Sequence, residues 1–272
     1  MSSSLSNPET VLFYRECQAP PPVAHLVLSF WEFTARSGNN APIMHEVFPD
    51  GCISLIHRQN KKLNINAFST NSHHTATRVV PVFDGDVLWA IRLSPAACAR
   101  VLDTDPASWK MVFRREEDEP FGIFDADLLA QLDPCTSLEE AIAVFIARLE
   151  KLRIRREDLD QKVIAAISMI EEKRGEMRIS ALAEELGLSV RQFERRFKRS
   201  AGLSPKQYAR ARRFRSAAAA LATGETVNWA DRAAEMGFAD QAHLTHEFSS
   251  LSGRSPKAFA EKVKKIDHGK LV

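Results

Sequence analysis

Gly187-Leu188-Ser189, Phe193, Phe197, Gly202-Leu203-Ser204-Pro205 and Tyr208 recur in the same order as Gly237-Phe238-Ala239, Leu244, Phe248, Gly253-Arg254-Ser255-Pro256 and Phe259. The offset is 50 residues up to the turn and 51 beyond it, so the second turn holds one extra residue. Two matching apolar positions could coincide by chance. An ordered series of glycine, two anchors, Gly-x-Ser-Pro and a closing aromatic reads as a duplicated structural unit.

Each copy has the layout of a helix-turn-helix. In the first, Leu182, Ala183 and Leu186 form the inner face of one helix, and Gly187 permits the sharp turn. Ser189 is placed to cap the next helix, with Gln192 at the capping-box position. Phe193 and Phe197, four apart, fasten that helix to the first. In the second copy Asn228 is the expected N-cap, Ala233 and Met236 the inner face, and Leu244 with Phe248 the anchors. Ala183 and Ala233 are equivalent small residues where two helices can approach closely. The expected core of the paired units is therefore Leu182, Ala183, Gly187, Phe193, Phe197, Ala233, Gly237, Leu244 and Phe248.

With the anchors turned inward, the first recognition helix (about 190–200) offers Arg191, Glu194, Arg195, Lys198 and Arg199 outward. That set suits a DNA major groove: arginine pairs with guanine in a bidentate manner, glutamate accepts from cytosine, and further cations hold phosphates. The second (about 241–251) offers Gln241, Ala242, Thr245, His246 and Ser249, with no lysine or arginine. Ser204 and Ser255, each before a proline, are expected to cap helices whose free N–H groups can meet phosphate. Arg212 and Arg213, in the basic start of the connecting helix, are further candidates for the DNA backbone.

Around these units, helices are expected near 158–174, 179–186, 190–200, 205–222, 228–236, 241–251 and 256–265, with glycines at or near the breaks. Charge divides the chain at the same place. Residues 1–154 carry 14 Lys+Arg against 19 Asp+Glu, and residues 155–272 carry 23 against 16. The overall charge of +2 conceals this, and only the second part is suited to a polyanion.

Gly237-Phe238-Ala239-Asp240-Gln241-Ala242-His243-Leu244, then Phe248 and Gly253-Arg254-Ser255-Pro256, together with the matching first copy, resemble the AraC/XylS family of bacterial transcription regulators. The resemblance covers about 165–262. It implies a seven-helix all-α module that places two recognition helices in successive major grooves of double-stranded DNA. On that pattern Arg191, Glu194 and Arg195 read bases for the first helix, and Gln241, Ala242 and His246 for the second. Lys198, Arg199, Arg212, Arg213 and Thr245 are assigned to phosphates. The family often carries a basic residue at the place of His246 and more after Phe248. Here Ser249-Ser250 follow, which weakens the expected contribution of the second unit.

The front of the chain has another texture. Residues 1–22 are polar and end in Pro20-Pro21-Pro22, an extended lead-in. Strand-like runs follow at 25–33, 43–48, 52–57, 62–68, 76–83 and 86–93, and Asp84-Gly85 is the best candidate for a hairpin turn. This spacing implies a cupin-like barrel or sandwich. The acidic run Glu116 to Glu119 reads as a solvated loop. Ser137 and Glu140 open a helix whose Leu138, Ile142, Phe145, Leu149 and Leu152 form one stripe, either packed on its own domain or paired with a second copy. Arg153 to Asp160 is the linker. Pro49-Asp50-Gly51-Cys52 and Ile91-Arg92-Leu93-Ser94-Pro95 resemble stretches of sensor domains in one subgroup of the family.

The whole reads as an α+β chain of two domains. Residues 1–154 are a sensing and possible dimerisation domain, and residues 155–272 are the DNA-binding domain. The expected activity is sequence-specific transcription regulation, not enzymatic, with no cofactor and no metal. RNA polymerase is a possible partner, and the effector, small molecule or protein, is unidentified. Two rivals stand beside it. A cupin-type metal enzyme would draw on His45, Glu46, His57, His73 and His74, but no His-x-His pair exists and adjacent His73-His74 would face opposite ways on a strand. A non-specific architectural protein would bind any duplex. Cys17, Cys52, Cys98 and Cys135 lack zinc spacing and read as free thiols, with Cys52 a small buried residue. With no apolar leader and no long apolar run, the expected location is the cytoplasm, at the nucleoid.

Overall fold

The computed structural model describes residues 11–73, 76–109, 113–115, 123–222, 233–234, 238, 240–263 and 267–268. The β-rich part holds β1 (Val11–Gln18), β2 (Val27–Arg36), β3 (Ile43–Val47), β4 (Ser54–Asn60), β5 (Ile65–Asn71), β6 (Arg78–Val82), β7 (Val87–Leu93) and β8 (Phe113–Arg115). A short β9 (Asp267–His268) from the far end of the chain runs parallel to β1. Seven of these form one sheet in the order β8-β5-β4-β7-β2-β1-β9, and β3 pairs with β6 alone.

Alternation along the strands gives the large sheet two different faces. Phe30 of β2, Leu55 of β4, Phe68 of β5, and Trp89 and Ile91 of β7 point toward a core shared with helices. Phe33 and Ala35 point the other way, toward Val82, Ile43 and Val80 of the β3–β6 pair. The first core is closed by α1 (Cys98–Val101), α2 (Ala126–Leu132) and α3 (Leu138–Glu150). Ser137 caps α3 by accepting from the Glu140 N–H. Leu138, Phe145 and Leu149 of its stripe are buried in this core, and Phe145 stacks on Phe30 at 6.4 Å between centroids. The stripe is consumed within the chain.

Two expectations for this part are corrected. Val11–Gln18 is a strand inside the stretch read as a lead-in; its apolar residues alternate too weakly, because Arg15 and Glu16 both serve ion pairs. Asp84-Gly85 does make a tight turn, with the Asp86 N–H donating to the Phe83 carbonyl and Gly85 at φ +86°. It makes no hairpin, because β6 leaves it for β3 whereas β7 leaves it for β2 and β4. The turn instead passes the chain between sheets.

The helical part comprises α4 (Gln161–Glu172), α5 (Ile179–Glu185), α6 (Val190–Ala201), α7 (Pro205–Ala222), α8 (Gln241–Ser252) and α9 (Pro256–Val263). Asp160 caps α4, the first helix, which begins three residues later than its sequence pattern indicated. Of the helix expected at 228–236, Ala233 and Ala234 are helical; Asn228, Met236, Gly237, Ala239, His74 and the acidic run 116–119 lie outside the described residues.

Candidate nucleic-acid interface

The duplication visible in the sequence is repeated in hydrogen bonds. Leu188 N–H donates to the Ala183 carbonyl and Phe238 N–H to that of Ala233, each at 2.9 Å. Gly202 N–H donates to Lys198 and Gly253 N–H to Ser249, each at 2.8 Å. Tyr208 N–H reaches Ser204 and Phe259 N–H reaches Ser255, each at 3.0 Å. The register therefore passes from an offset of 50 to 51 between Phe238 and the start of α8, where the sequence placed the extra residue. Both recognition helices end on a left-handed glycine, Gly202 at φ 82° and Gly253 at φ 74°. A side chain there would be strained, which is why glycine recurs.

Each unit has its own core. Phe193 and Phe197 of α6 are fully buried with Leu182, Ala183, Leu186 and Tyr208. Leu244 and Phe248 of α8 are buried with Ala233, Phe238, Phe214 and Phe259. Ser189 and Gln192 form the expected capping box on α6, and Asp240 caps α8 through the His243 N–H at 2.7 Å. The sequence reading had not assigned Asp240 this role. Ser204 and Gln207 make a second capping box at α7, and the Ser255 hydroxyl accepts from the Ala258 N–H.

Opposite these anchors, Arg191, Glu194, Arg195, Lys198 and Arg199 are exposed on α6, and Gln241, Ala242 and His246 on α8; Thr245 is half-buried. The arginines of the helical part separate into two kinds. Arg196 pairs with Asp160, Arg210 with Glu247, Arg212 with Glu171, Arg215 with Glu16 and Arg254 with Glu46. Arg191, Arg195 and Arg199, with Lys198, have no ion pair among the described residues. Arg156, Arg174 and Arg178 are likewise exposed without an ion pair among the described residues, but only α6 gathers four such cations on one helix face, where a polyanion would be met. Two of the expected phosphate contacts are placed elsewhere. Arg212 donates to Glu171 at 2.5 Å beside Tyr208, and Arg213 lies 5.2 Å from the Phe238 ring centroid. Both are engaged inside the helical part because α7 turns that side toward its neighbours.

What sequence reasoning missed is the strap that ties the β-rich part to both units. Glu46 accepts from Arg254 in the loop after α8. Phe48 meets Phe259 edge-on, with centroids 4.9 Å apart, in the core of the second unit. Asp50 accepts from Arg92 Nε at 2.9 Å and stands 3.6 Å from Arg215 Nη1 of α7. Gly51 lies under Tyr208, and Cys52 is buried in the core of the first unit. Residues 46–52 thus touch the second unit, the connecting helix and the first unit in turn. Nearby, His73 Nε2 is hydrogen-bonded to the Ala201 carbonyl, and the Thr77 hydroxyl donates to the Leu251 carbonyl at 2.8 Å. The last turns of both recognition helices are therefore held from the same β-rich surface.

Arg92 is the centre of this joint. It is buried and donates to Asp50, Glu16 and the Ser29 hydroxyl, while Glu16 also accepts from Arg215 at 2.6 Å. Burial opposes the ionised Glu16, but the guanidiniums of Arg92 and Arg215 and the hydroxyls of Ser29 and Tyr14 overcome it and hold the carboxyl well below its usual range. Two carboxylates facing two guanidiniums balance the charge, as burial of such groups requires. A lone arginine between apolar neighbours in Ile91-Arg92-Leu93, near the end of β7, was the available signal, since arginine is almost never buried unpaired.

The residues considered for a metal are dispersed. His45 packs on Phe33 at 4.5 Å between centroids on one face of the large sheet, whereas His57 lies on the other, hydrogen-bonded to Asn66 Oδ1 at 2.7 Å. Glu46 and His73 serve the contacts just described. Among the described residues no three His, Cys, Asp or Glu side chains are grouped to hold a metal ion.

Residues 182–262 match the family model described as a helix-turn-helix domain. No curated protein matches the chain. Among solved structures, ToxT from Vibrio cholerae O395 aligns with 94% of this chain and 98% of its own at 11% identity and a TM-score of 0.47. A transcriptional regulator with an AraC-type DNA-binding domain from Chromobacterium violaceum aligns with 38% of this chain and 92% of its own, at 23% identity and a TM-score of 0.35. The C-terminal domain of AraT, a response regulator from Geobacillus stearothermophilus, aligns with 42% and 88%, at 19% identity and a TM-score of 0.36.

Proposed function

We propose that this chain, a DNA-binding transcription regulator with an AraC-type helix-turn-helix domain at 182–262, reads a specific site through α6 and α8 in successive major grooves. Arg191, Glu194 and Arg195 read bases from α6, and Gln241, Ala242 and His246 from α8. Lys198, Arg199 and Thr245 hold phosphates. The observation that carries this is the unpaired cationic face of α6, four exposed cations on one helix opposite its buried anchors, whereas Arg210, Arg212, Arg213 and Arg215 of the connecting helix are committed to carboxylates or an aromatic ring. The α8 face lacks such charge, so α6 supplies most of the electrostatic affinity.

In this reading residues 1–154 control residues 155–272 through the 46–52 strap and the contacts at His73 and Thr77. Release or tightening of these contacts alters how the two recognition helices are spaced. The chain performs no reaction and acts in the cytoplasm at the nucleoid, where RNA polymerase is a candidate partner. Among the described residues no helix is long and apolar enough to cross a membrane. Because α3 spends its stripe internally, a homodimer would use other surfaces.

A genome-wide footprint of the full chain, followed by competition of a recovered site against random duplex, tests the reading. Recovery of discrete sites that outcompete random DNA by about 10³-fold or more supports it. Equal affinity for all duplexes would replace it with the architectural reading.

A further inference from the structure

On the helix-covered face of the large sheet, beyond the start of α3, lies a cavity of about 630 Å³. It is distinct from the space between the two sheets, since its strand residues belong to the same alternating set as Phe30, Leu55 and Ile91. Val11, Phe13 and Val87 give it an apolar wall, backed by the buried Trp89. Arg36, Lys61 and Lys62 stand around it. Lys62 is committed to Asp84, whereas Arg36 and Lys61 have no ion pair among the described residues. The one lining carboxylate, Glu32, is already satisfied: Trp89 Nε1 donates to one oxygen and Arg15 Nε to the other, each at 2.8 Å. A volume within the usual 300–1,000 Å³ of ligand pockets, apolar below and cationic above, fits one ligand chemistry.

We infer that this cavity binds a small organic monoanion with an apolar body, its charged group met by Arg36 and Lys61 and its body laid on Val87, Phe13 and Val11. The site also has a route to the joint. β1 forms a wall of the cavity with Val11 and Phe13, and on its opposite face presents Tyr14 and Glu16, the latter bound to Arg215 of α7. A ligand that moves β1 therefore acts on the contact that holds the connecting helix. This regulatory consequence, though not binding itself, rests on the reading of residues 1–154 as the controller of the helix-turn-helix domain.

Calorimetric titration of the full chain tests the site with 4-phenylbutyrate, indole-3-acetate and hexanoate, each against the alcohol of the same skeleton. At least one carboxylate is expected to bind about ten-fold tighter than its alcohol, the scale of one modest charged contact. Arg36→Ala with Lys61→Ala, both exposed positions, should bring acid and alcohol within about two-fold of each other while leaving the circular dichroism unchanged. Thr34→Trp, which fills the cavity, should abolish both. Absence of saturable binding by all three acids, parity of acid and alcohol in the unaltered chain, or unchanged preference in the double variant overturns the proposal. DNA affinity is then measured with and without the best ligand. Binding that leaves DNA affinity unchanged keeps the site and overturns the route through β1.

Discussion

Tyr208 of α7 closes over Gly51 so tightly that a methyl group placed on the glycine would stand 2.8 Å from the ring's Cδ2. Gly51 is also at φ +74°, in the left-handed region. Gly51→Ala therefore meets both a backbone penalty and overpacking, and is expected to destabilise the chain by about 1–3 kcal/mol. Urea denaturation measures this. Combined with Tyr208→Leu, the two effects should fall short of additivity; full additivity would show that the contact is not the cause.

Arg215→Ala removes a charged partner of Glu16 while Arg92 remains. The expected cost is about 1–3 kcal/mol, read as faster hydrogen exchange along α7 with little change in β2 or β7. Because the folded Glu16 titrates below its usual range, its contribution is complete above the ordinary carboxylate value near pH 4.3 and is lost as the pH falls through the lower folded value. The effect of the substitution should thus be level from pH 6 to 8 and shrink only in strong acid. A cost that varies across neutrality would assign it to another group.

Arg195→Ala should cost about 1–3 kcal/mol in site-specific binding and relax preference at one base pair, with the fold unchanged. Lys198→Ala should instead weaken all sequences alike and reduce the salt dependence by about one counterion. Fluorescence anisotropy at several salt concentrations separates the two. Identical behaviour of both variants would remove Arg195 from base reading.

His57 is buried, and burial lowers its pKa despite the hydrogen bond with Asn66. The unfolded chain then binds the additional proton first, so this contribution to stability is complete above about pH 6.5 and declines as the pH falls below it. The urea midpoint should fall between pH 7 and pH 5, and His57→Gln should flatten that part of the profile. An unaltered slope in the variant would place the titration elsewhere.

The helical units were legible because their cues are local. Gly187, Ser189 with Gln192, and Phe193 with Phe197 state turn, cap and anchor within eleven residues, and the repeat at Phe238, Leu244 and Phe248 restates them. The β-rich part yielded its strands between residues 25 and 93 but neither β1 nor the pairing partners. Asp84-Gly85 has the chemistry of a hairpin turn, yet strand pairing is decided by distant residues, and β6 goes to β3. The strap was least legible. Asp50 reads as a turn residue and does accept from the Cys52 N–H, but its other oxygen belongs to Arg92, 42 positions away. Nothing near Arg212 in sequence reveals Glu171 as its partner, which is why it was assigned to DNA.

Cys52 and Ala96, with the half-buried Leu28 against them, complete a hydrophobic core that otherwise belongs to the helical part around the first helix-turn-helix unit. A regulator cut at the linker would leave that core with an open wall. The two parts are consequently poor candidates for free shuffling in evolution or engineering: a transplanted front half would have to bring along its own plug for this hole. Chimaeras that retain residues 46–52 and 96 of this chain are the ones placed to inherit a sealed DNA reader.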